Sequence, residues 1–362
     1  MDDTRYQIEG PRSARRVRRP GRRAEIIMLN VGVIGLGYWG PNLVRNFNSA
    51  PSTNLVAVCD RDEKRLAAIS RTYPGARTYT QADQILADKD VQAVAIVTPV
   101  STHHALAKAA MEAGKHVLLE KPMTHSVEAA EELTDLAGAK GLVLMVDHVF
   151  LYSAAVRKMK EIHDSGVLGK LYFIDSVRIN LGLFQHDINV VWDLAPHDLS
   201  IVDHLVQRLP RSVSAFGSCH AGGQIEDVAY LNLDFGDGLI ANFHVNWLSP
   251  VKLRYTMVAG AQKSIVYNDL DASEPIKVYD RGIEFDGDRE TKEKLMINYR
   301  TGDVWSPHVK ASEALRTMVE HFAQCVERGA KPLSGGEEGL RVVKILDAAQ
   351  RSIKAQGGRI TL

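Results

Sequence analysis

The hexapeptide Gly35-Leu36-Gly37-Tyr38-Trp39-Gly40 constrains this chain more than any other feature, because of what flanks it. Before it, NVGVI (30–34) reads as a buried strand. After it, GPNLVRNFNSA (40–50) reads as a helix, with Pro41 suited to an early helical position. In the order strand, glycine turn, helix, the glycines permit a tight turn and let a pyrophosphate approach the helix N-terminus. Four more apolar runs, at 54–60, 91–99, 115–122 and 141–148, are continuous in Val, Ile and Leu, as central parallel strands tend to be. Helix-like stretches at 61–73, 81–89, 101–114 and 126–140 separate them. Such alternation predicts a doubly wound α/β sheet, a Rossmann dinucleotide-binding domain over residues 28–149.

The rhythm changes after His148. One helix-like stretch (153–166) leads into extended segments at 170–181, 211–220, 227–235, 238–248, 252–260 and 263–269, with Gly236-Asp237-Gly238 as a hairpin turn. Two further helices close the chain, at 313–329 and 336–356. Residues 150–362 are therefore expected to form an α+β domain. Its open sheet is mainly antiparallel, and its C-terminal helices pack back toward the Rossmann domain. With 362 residues, there is enough chain for two cores.

Formal net charge is zero, which gives no overall field favouring nucleic acid or membranes. The balance conceals a basic start: residues 1–27 hold eight Arg against four acids. That stretch has no apolar run of signal-peptide or membrane-span length and is expected to be a disordered extension, with Met28 as an alternative start. Cys59, Cys219 and Cys325 match no zinc or disulfide spacing, which suits a reducing cytoplasm.

The expected cofactor contacts follow the sheet. Gly35, Gly37, Tyr38, Trp39 and Gly40 form the phosphate turn. Asp60, at the end of the second strand, is placed to bind an adenosine ribose and favours NAD; Arg61 beside it leaves NADP as the alternative. Thr98, Pro99, His103, Glu120 and Lys121 follow the fourth and fifth strands, where such sheets bind ligands. For His103 and His104 a plain polar helix start is the competing reading. WDLAPHD (192–198) sets Asp193 and His197 four apart, on one helix face, with Pro196 tolerable in a first turn. A capping Asp with a surface His, an acid/base pair and a metal site all remain open there. The metal reading needs three or four convergent ligands, which Asp193, His197, Asp198 and His204 do not obviously supply, so no metal is expected.

VGVIGLGYWG, TPVSTHHALAKAAMEAGKHVLLEKPM and WDLAPHD together resemble the Gfo/Idh/MocA oxidoreductases, the family of glucose–fructose oxidoreductase and inositol dehydrogenase. The resemblance covers essentially everything after Met28. It implies a Rossmann domain, a domain for substrate binding and oligomerisation over residues 150–362, and hydride exchange between NAD(P) and a sugar or cyclitol hydroxyl, an enzyme acting on CH–OH groups. Lys121 matches the family's EKP lysine, and Asp193 and His197 match its DxxxH pair, in which the His is the usual general base. On that reading His197 takes the hydroxyl proton, Asp193 orients or supports it, and Lys121 steadies the reacting oxygen. NVVW stands where the family often has GG, which bears on substrate contacts.

The resemblance further implies a homodimer or homotetramer. Its finer detail points to nucleotide-linked sugars, whose charge would be met by Lys121 together with Arg178 and by Arg157 or Lys158. Trp192 is a further substrate contact on this reading. A cyclitol or free-sugar dehydrogenase is the alternative, and a non-catalytic sensing regulator is the rival from another class.

Overall fold

The computed structural model describes residues 28–182, 184–185, 187–221, 223–286 and 296–362; the basic segment 1–27 lies outside the described residues. Six strands, β1 (Leu29–Ile34), β2 (Thr53–Cys59), β3 (Arg77–Tyr79), β4 (Ala93–Ile96), β5 (His116–Leu119) and β6 (Leu144–Val146), make one sheet in the order β3-β2-β1-β4-β5-β6. Every pairing in it is parallel. The order reverses between β1 and β4, and the crevice at such a reversal is where doubly wound sheets hold ligands. Strand β3 escaped sequence reading because its three residues, Arg77-Thr78-Tyr79, lie at the edge and bear no apolar run.

Helices α1 (Gly40–Ser49), α2 (Glu63–Thr72), α3 (Ala82–Ala87), α4 (His103–Glu112) and α5 (Val127–Lys140) cover the two faces. Asp62 caps α2 by accepting from the Lys64 N–H, and Ser126 caps α5 by accepting from Ala129. Each such cap contributes about 1 kcal/mol. Val31, Val33, Val94 and Ile96 are fully or almost fully buried, as the continuous apolar runs require.

The second sheet has nine strands. They are β7 (Leu171–Leu181), β8 (Ser212–Ser218), β9 (Val228–Asp234), β10 (Ile240–Asn246), β11 (Leu248–Gly260), β12 (Ser264–Asn268), β13 (Ile276–Asp286), β14 (Met296–Trp305) and β15 (Ile360–Thr361). Their order is β14-β13-β12-β11-β7-β10-β9-β8-β15, antiparallel throughout except where β7 meets β10. The β9–β10 hairpin turns where expected, with φ of 81° at Gly236 and 92° at Gly238. The last strand read from the sequence ends at residue 269, so β13, β14 and the short β15 were missed.

Helices α6 (Ala154–Asp164), α7 (Val190–Val206), α8 (Ala314–Arg328) and α9 (Gly336–Lys354) complete the chain. Helix α9 packs on α5, α7 and β8, and Arg341 clamps it to Asp203 of α7 through bonds of 2.7 and 2.9 Å. Helix α8 lies against α1, where Phe322 meets Phe47 edge-on.

Helix α7 corrects one expectation. It begins at Val190, capped by Asn189, whose side chain accepts from the Val191 and Trp192 N–H groups. Asp193 lies in its first turn, and Pro196, expected there too, is an interior proline. It lacks the N–H that would bond the Trp192 carbonyl, and it is buried among the helix's neighbours.

Candidate active site

A cleft of about 1260 Å³ runs along the carboxyl ends of β1, β2, β4 and β5 and onward to α7, β7 and β11. At its first end, Gly35 has φ of 98°, and a Cβ there would lie 2.5 Å from the Val97 carbonyl oxygen. A Cβ on Gly40 would lie 2.2 Å from the Gly35 carbonyl oxygen. Only glycine fits either position. At Gly37, by contrast, the nearest atom to a Cβ would be Arg65 Nη1 at 3.9 Å, leaving the backbone open to a ligand. Helix α1 starts here with no side-chain cap, so its first N–H groups are available to a phosphate.

Asp60 lines the same end and accepts from the Leu36 N–H at 2.6 Å and the Asp62 N–H at 2.8 Å. A carboxylate so fixed retains acceptor capacity for ribose hydroxyls. Arg61, Tyr38, Thr98 and Pro99 line the cleft as expected. These residues fit an NAD-type dinucleotide, with its diphosphate on the glycine turn and its adenosine ribose at Asp60. Asp60→Ala is expected to weaken NAD binding about tenfold and narrow any preference over NADP. Fluorescence titration with both cofactors tests this; a wild type that prefers NADP would contradict the ribose assignment.

At the other end stand Lys121, Asp193 and His197, all lining the cleft. Lys121 Nζ donates to Asp193 Oδ1 at 3.0 Å and to the Asp193 carbonyl at 2.8 Å. Trp247 Nε1 donates to Asp193 Oδ2 at 3.1 Å. Both carboxylate oxygens of Asp193 are thus engaged away from His197. The contact that the four-residue spacing allows between Asp193 and His197 is thus replaced by bonds to Lys121 and Trp247.

His197 Nδ1 is buried without a hydrogen-bond partner. The ring is held by packing: Phe150 meets it edge-on, with centroids 5.1 Å apart. The guanidinium of Arg178 lies over the Phe150 ring, 4.5 Å from its centroid. Arg178 is fixed in turn by a bidentate pair with Asp198, both bonds 2.8 Å. Burial pushes the His197 imidazole well below its ordinary pKa, and the cations of Lys121 and Arg178 push it further. The ring is therefore neutral at physiological pH and able to accept a proton.

Beneath Lys121 sits a pair of acids. Burial raises the Asp147 carboxyl to about 6; burial and the Asp147 charge raise that of Glu120 well above the usual range. Asp147 Oδ2 also accepts from Trp39 Nε1 at 3.4 Å, which ties the glycine turn to the end of β6. His148 beside them is buried, with its pKa pushed down to about 3 by burial and by Lys121.

Three expected contacts fall elsewhere. His103 does not line the cleft: Nδ1 lies 3.0 Å from the Pro122 carbonyl and Nε2 2.8 Å from that of Thr98, so it braces the ends of β4 and β5. Trp192 packs against the hydrophobic core, and Trp247, between β10 and β11, supplies the indole of the site. Neither Arg157 nor Lys158 lines the cleft; Lys158 pairs with Glu161 within α6. Trp247, Phe150 and Asp147 escaped sequence reading, as did Arg254, a half-buried arginine of β11 that lines the cleft.

One cleft thus joins a glycine turn against an uncapped helix and the Asp60 carboxylate at one end to a Lys–Asp–His set at the other. Residues 29–148 match the family model described as "Oxidoreductase family, NAD-binding Rossmann fold", and residues 156–266 match the "GFO/IDH/MocA C-terminal domain". The chain belongs to the GFO/IDH/MocA family. It is 32% identical over 220 residues to a UDP-N-acetylglucosamine 3-dehydrogenase of Acidithiobacillus ferrooxidans, a match covering 60% of this chain and 66% of that relative, just under two thirds of its length. It is 25% identical over 314 residues to a scyllo-inositol 2-dehydrogenase (NAD(+)) of Bacillus subtilis, covering 83% and 87%. The solved structure of the A. ferrooxidans enzyme shares the fold, with a TM-score of 0.77 at 24% identity over 91% of this chain and 99% of that one.

Proposed function

We propose that this chain is an NAD-dependent dehydrogenase that exchanges a hydride with a secondary hydroxyl of a sugar, and that the sugar is nucleotide-linked. The observation that carries the reading is the presence of Lys121, Asp193 and a neutral His197 in the same cleft as the glycine turn. His197 accepts the hydroxyl proton, and the Lys121 ammonium stabilises charge on the alcohol oxygen. Asp193 holds Lys121 in place, with Trp247 fixing the carboxylate. Bound NAD supplies the hydride acceptor.

Two points support a nucleotide sugar. The cleft exceeds the roughly 300–1,000 Å³ of an ordinary ligand pocket, leaving room beside a dinucleotide. The A. ferrooxidans relative bears the name of an enzyme acting on UDP-N-acetylglucosamine. A cyclitol is the second reading, favoured by the longer alignment with the inositol dehydrogenase. Incubation with NAD⁺ and panels of UDP-, GDP- and dTDP-sugars, free sugars and cyclitols, followed by NADH absorbance, separates them. Turnover of nucleotide sugars without response to free polyols is the expected result; oxidation of a free polyol that no nucleotide sugar matches would overturn it.

Oligomerisation belongs to the same proposal. Helices α7 and α9 cover one face of the second sheet, whereas its opposite face presents Phe216, Tyr230 and Ile240 to solvent, with Tyr230 stacked on His244 at 4.3 Å. Apolar groups on an open sheet face call for a covering surface. A dimer or tetramer is expected; light scattering that returns a monomer at micromolar concentration would refute it.

A further inference from the structure

Arg178 of β7 and Arg254 of β11 are direct register partners across an antiparallel pair. Like charges placed opposite each other in a sheet are destabilising unless something offsets them. For Arg178 the offset is complete, since Asp198 takes its Nε and Nη2 together and both side chains are buried. Arg254 is treated differently. Its Nη1 donates to Asp269 Oδ2 at 3.0 Å, and the other oxygen of Asp269 accepts from the Tyr267 hydroxyl at 2.8 Å. Its Nε is buried and has no partner. A buried charged donor left unpaired is costly and calls for an acceptor.

The geometry of the fork says which acceptor. The Nε/Nη2 edge of a guanidinium presents two parallel donors matched to a carboxylate or phosphoryl group. Arg178 uses that edge on Asp198, and on Arg254 the same edge carries the unpartnered Nε. Arg254 lines the cleft together with Lys121, His197, Asn180 and Trp247. Lys121 is already engaged by Asp193. The carboxylates lining this end are Asp193, held by Lys121 and Trp247, Glu120 and the buried Asp147 beneath Lys121, and the exposed Asp187, and the carboxylate bonded to Arg254 is that of Asp269.

We infer that Arg254 is an oxyanion-binding subsite, receiving a carboxylate or phosphoryl group of the substrate on its Nε/Nη2 edge. The inference rests on the dehydrogenase reading for the identity of the molecule that occupies this end. The shared chemistry has two sources, the carboxylate of an acidic sugar and the diphosphate of a nucleotide, and the Arg254 fork takes either.

Isothermal titration of the NAD⁺-saturated protein with glucose, glucuronate, UDP, UDP-glucose and UDP-glucuronate tests it, in wild type and in Arg254→Met and Arg254→Lys. In wild type, an oxyanion-bearing probe is expected to bind at least about tenfold more tightly than glucose, and higher salt should weaken only the anionic probes. A gain from UDP-glucose to UDP-glucuronate identifies the carboxylate, whereas equal affinity of UDP and both UDP-sugars identifies the diphosphate. Arg254→Met should abolish the preference with NAD⁺ affinity within about twofold, and Arg254→Lys should restore only part of it. Anions binding no better than glucose in wild type, or an undiminished preference in Arg254→Met, would overturn the subsite. Failure of the dehydrogenase reading has a different signature: no NADH from any hydroxyl substrate, while Arg254-dependent anion binding persists.

Discussion

His197→Asn is expected to lower kcat by about 10² or more while leaving NAD affinity within about twofold. The substitution keeps much of the ring's polarity and removes only the nitrogen that takes the proton. The environment of His197 explains why the loss is catalytic. The residue is half-buried, its Nδ1 is buried without a hydrogen-bond partner among the described residues, and burial is the largest influence on the ring. Lys121 and Arg178 both disfavour its protonated form. In the free protein the ring's pKa therefore lies well below the ordinary histidine value, and the acid limb of kcat/KM for the wild type falls below pH 6.5. That limb should be absent from the Asn variant. Stopped-flow NADH formation across pH 5–9, with NAD titrated separately, measures both effects; unchanged turnover would remove His197 from its role.

What could be read from the sequence was what depends on near neighbours. The glycine turn, every strand of the first sheet but β3 and the β9–β10 hairpin announce themselves through apolar runs and special backbone positions, all within a few residues. The site was legible only to the extent that its parts are local. Asp193 and His197 do share a helix, yet their spacing suggested a mutual contact that Lys121, 72 residues away, takes instead. Trp192 stands next to Asp193 in sequence, but adjacent helical residues point apart. The indole that reaches Asp193 is Trp247, 54 residues later, delivered by the second sheet. Arg254 was hidden for the same reason: its meaning comes from lying opposite Arg178, and strand register cannot be read from one strand. His103 failed in the other direction, because a histidine at a helix start that braces two carbonyls has the same local sequence as one that meets a ligand.

Lys121→Met should have an effect of similar size, with kcat/KM lower by about 10²–10³, the range found when one donor to a developing oxyanion is removed. The side chain keeps its length and loses its charge, so the cleft keeps its shape. The variant also strips Asp193 of its cation, leaving the carboxylate half-buried with only the Trp247 indole to satisfy it. Part of any loss would then come from an unpaired carboxylate beside a substrate oxygen. Asp193→Asn separates the contributions, since it relaxes the hold on Lys121 without leaving a charge behind. If Asp193 works through Lys121, the Lys121→Met/Asp193→Asn double variant should be little worse than Lys121→Met alone, because the aspartate has nothing left to orient. Fully additive losses would mean that Asp193 acts on the substrate or on His197 by its own route. A drop of less than tenfold in Lys121→Met would remove the ammonium from the stabilisation of the alcohol oxygen.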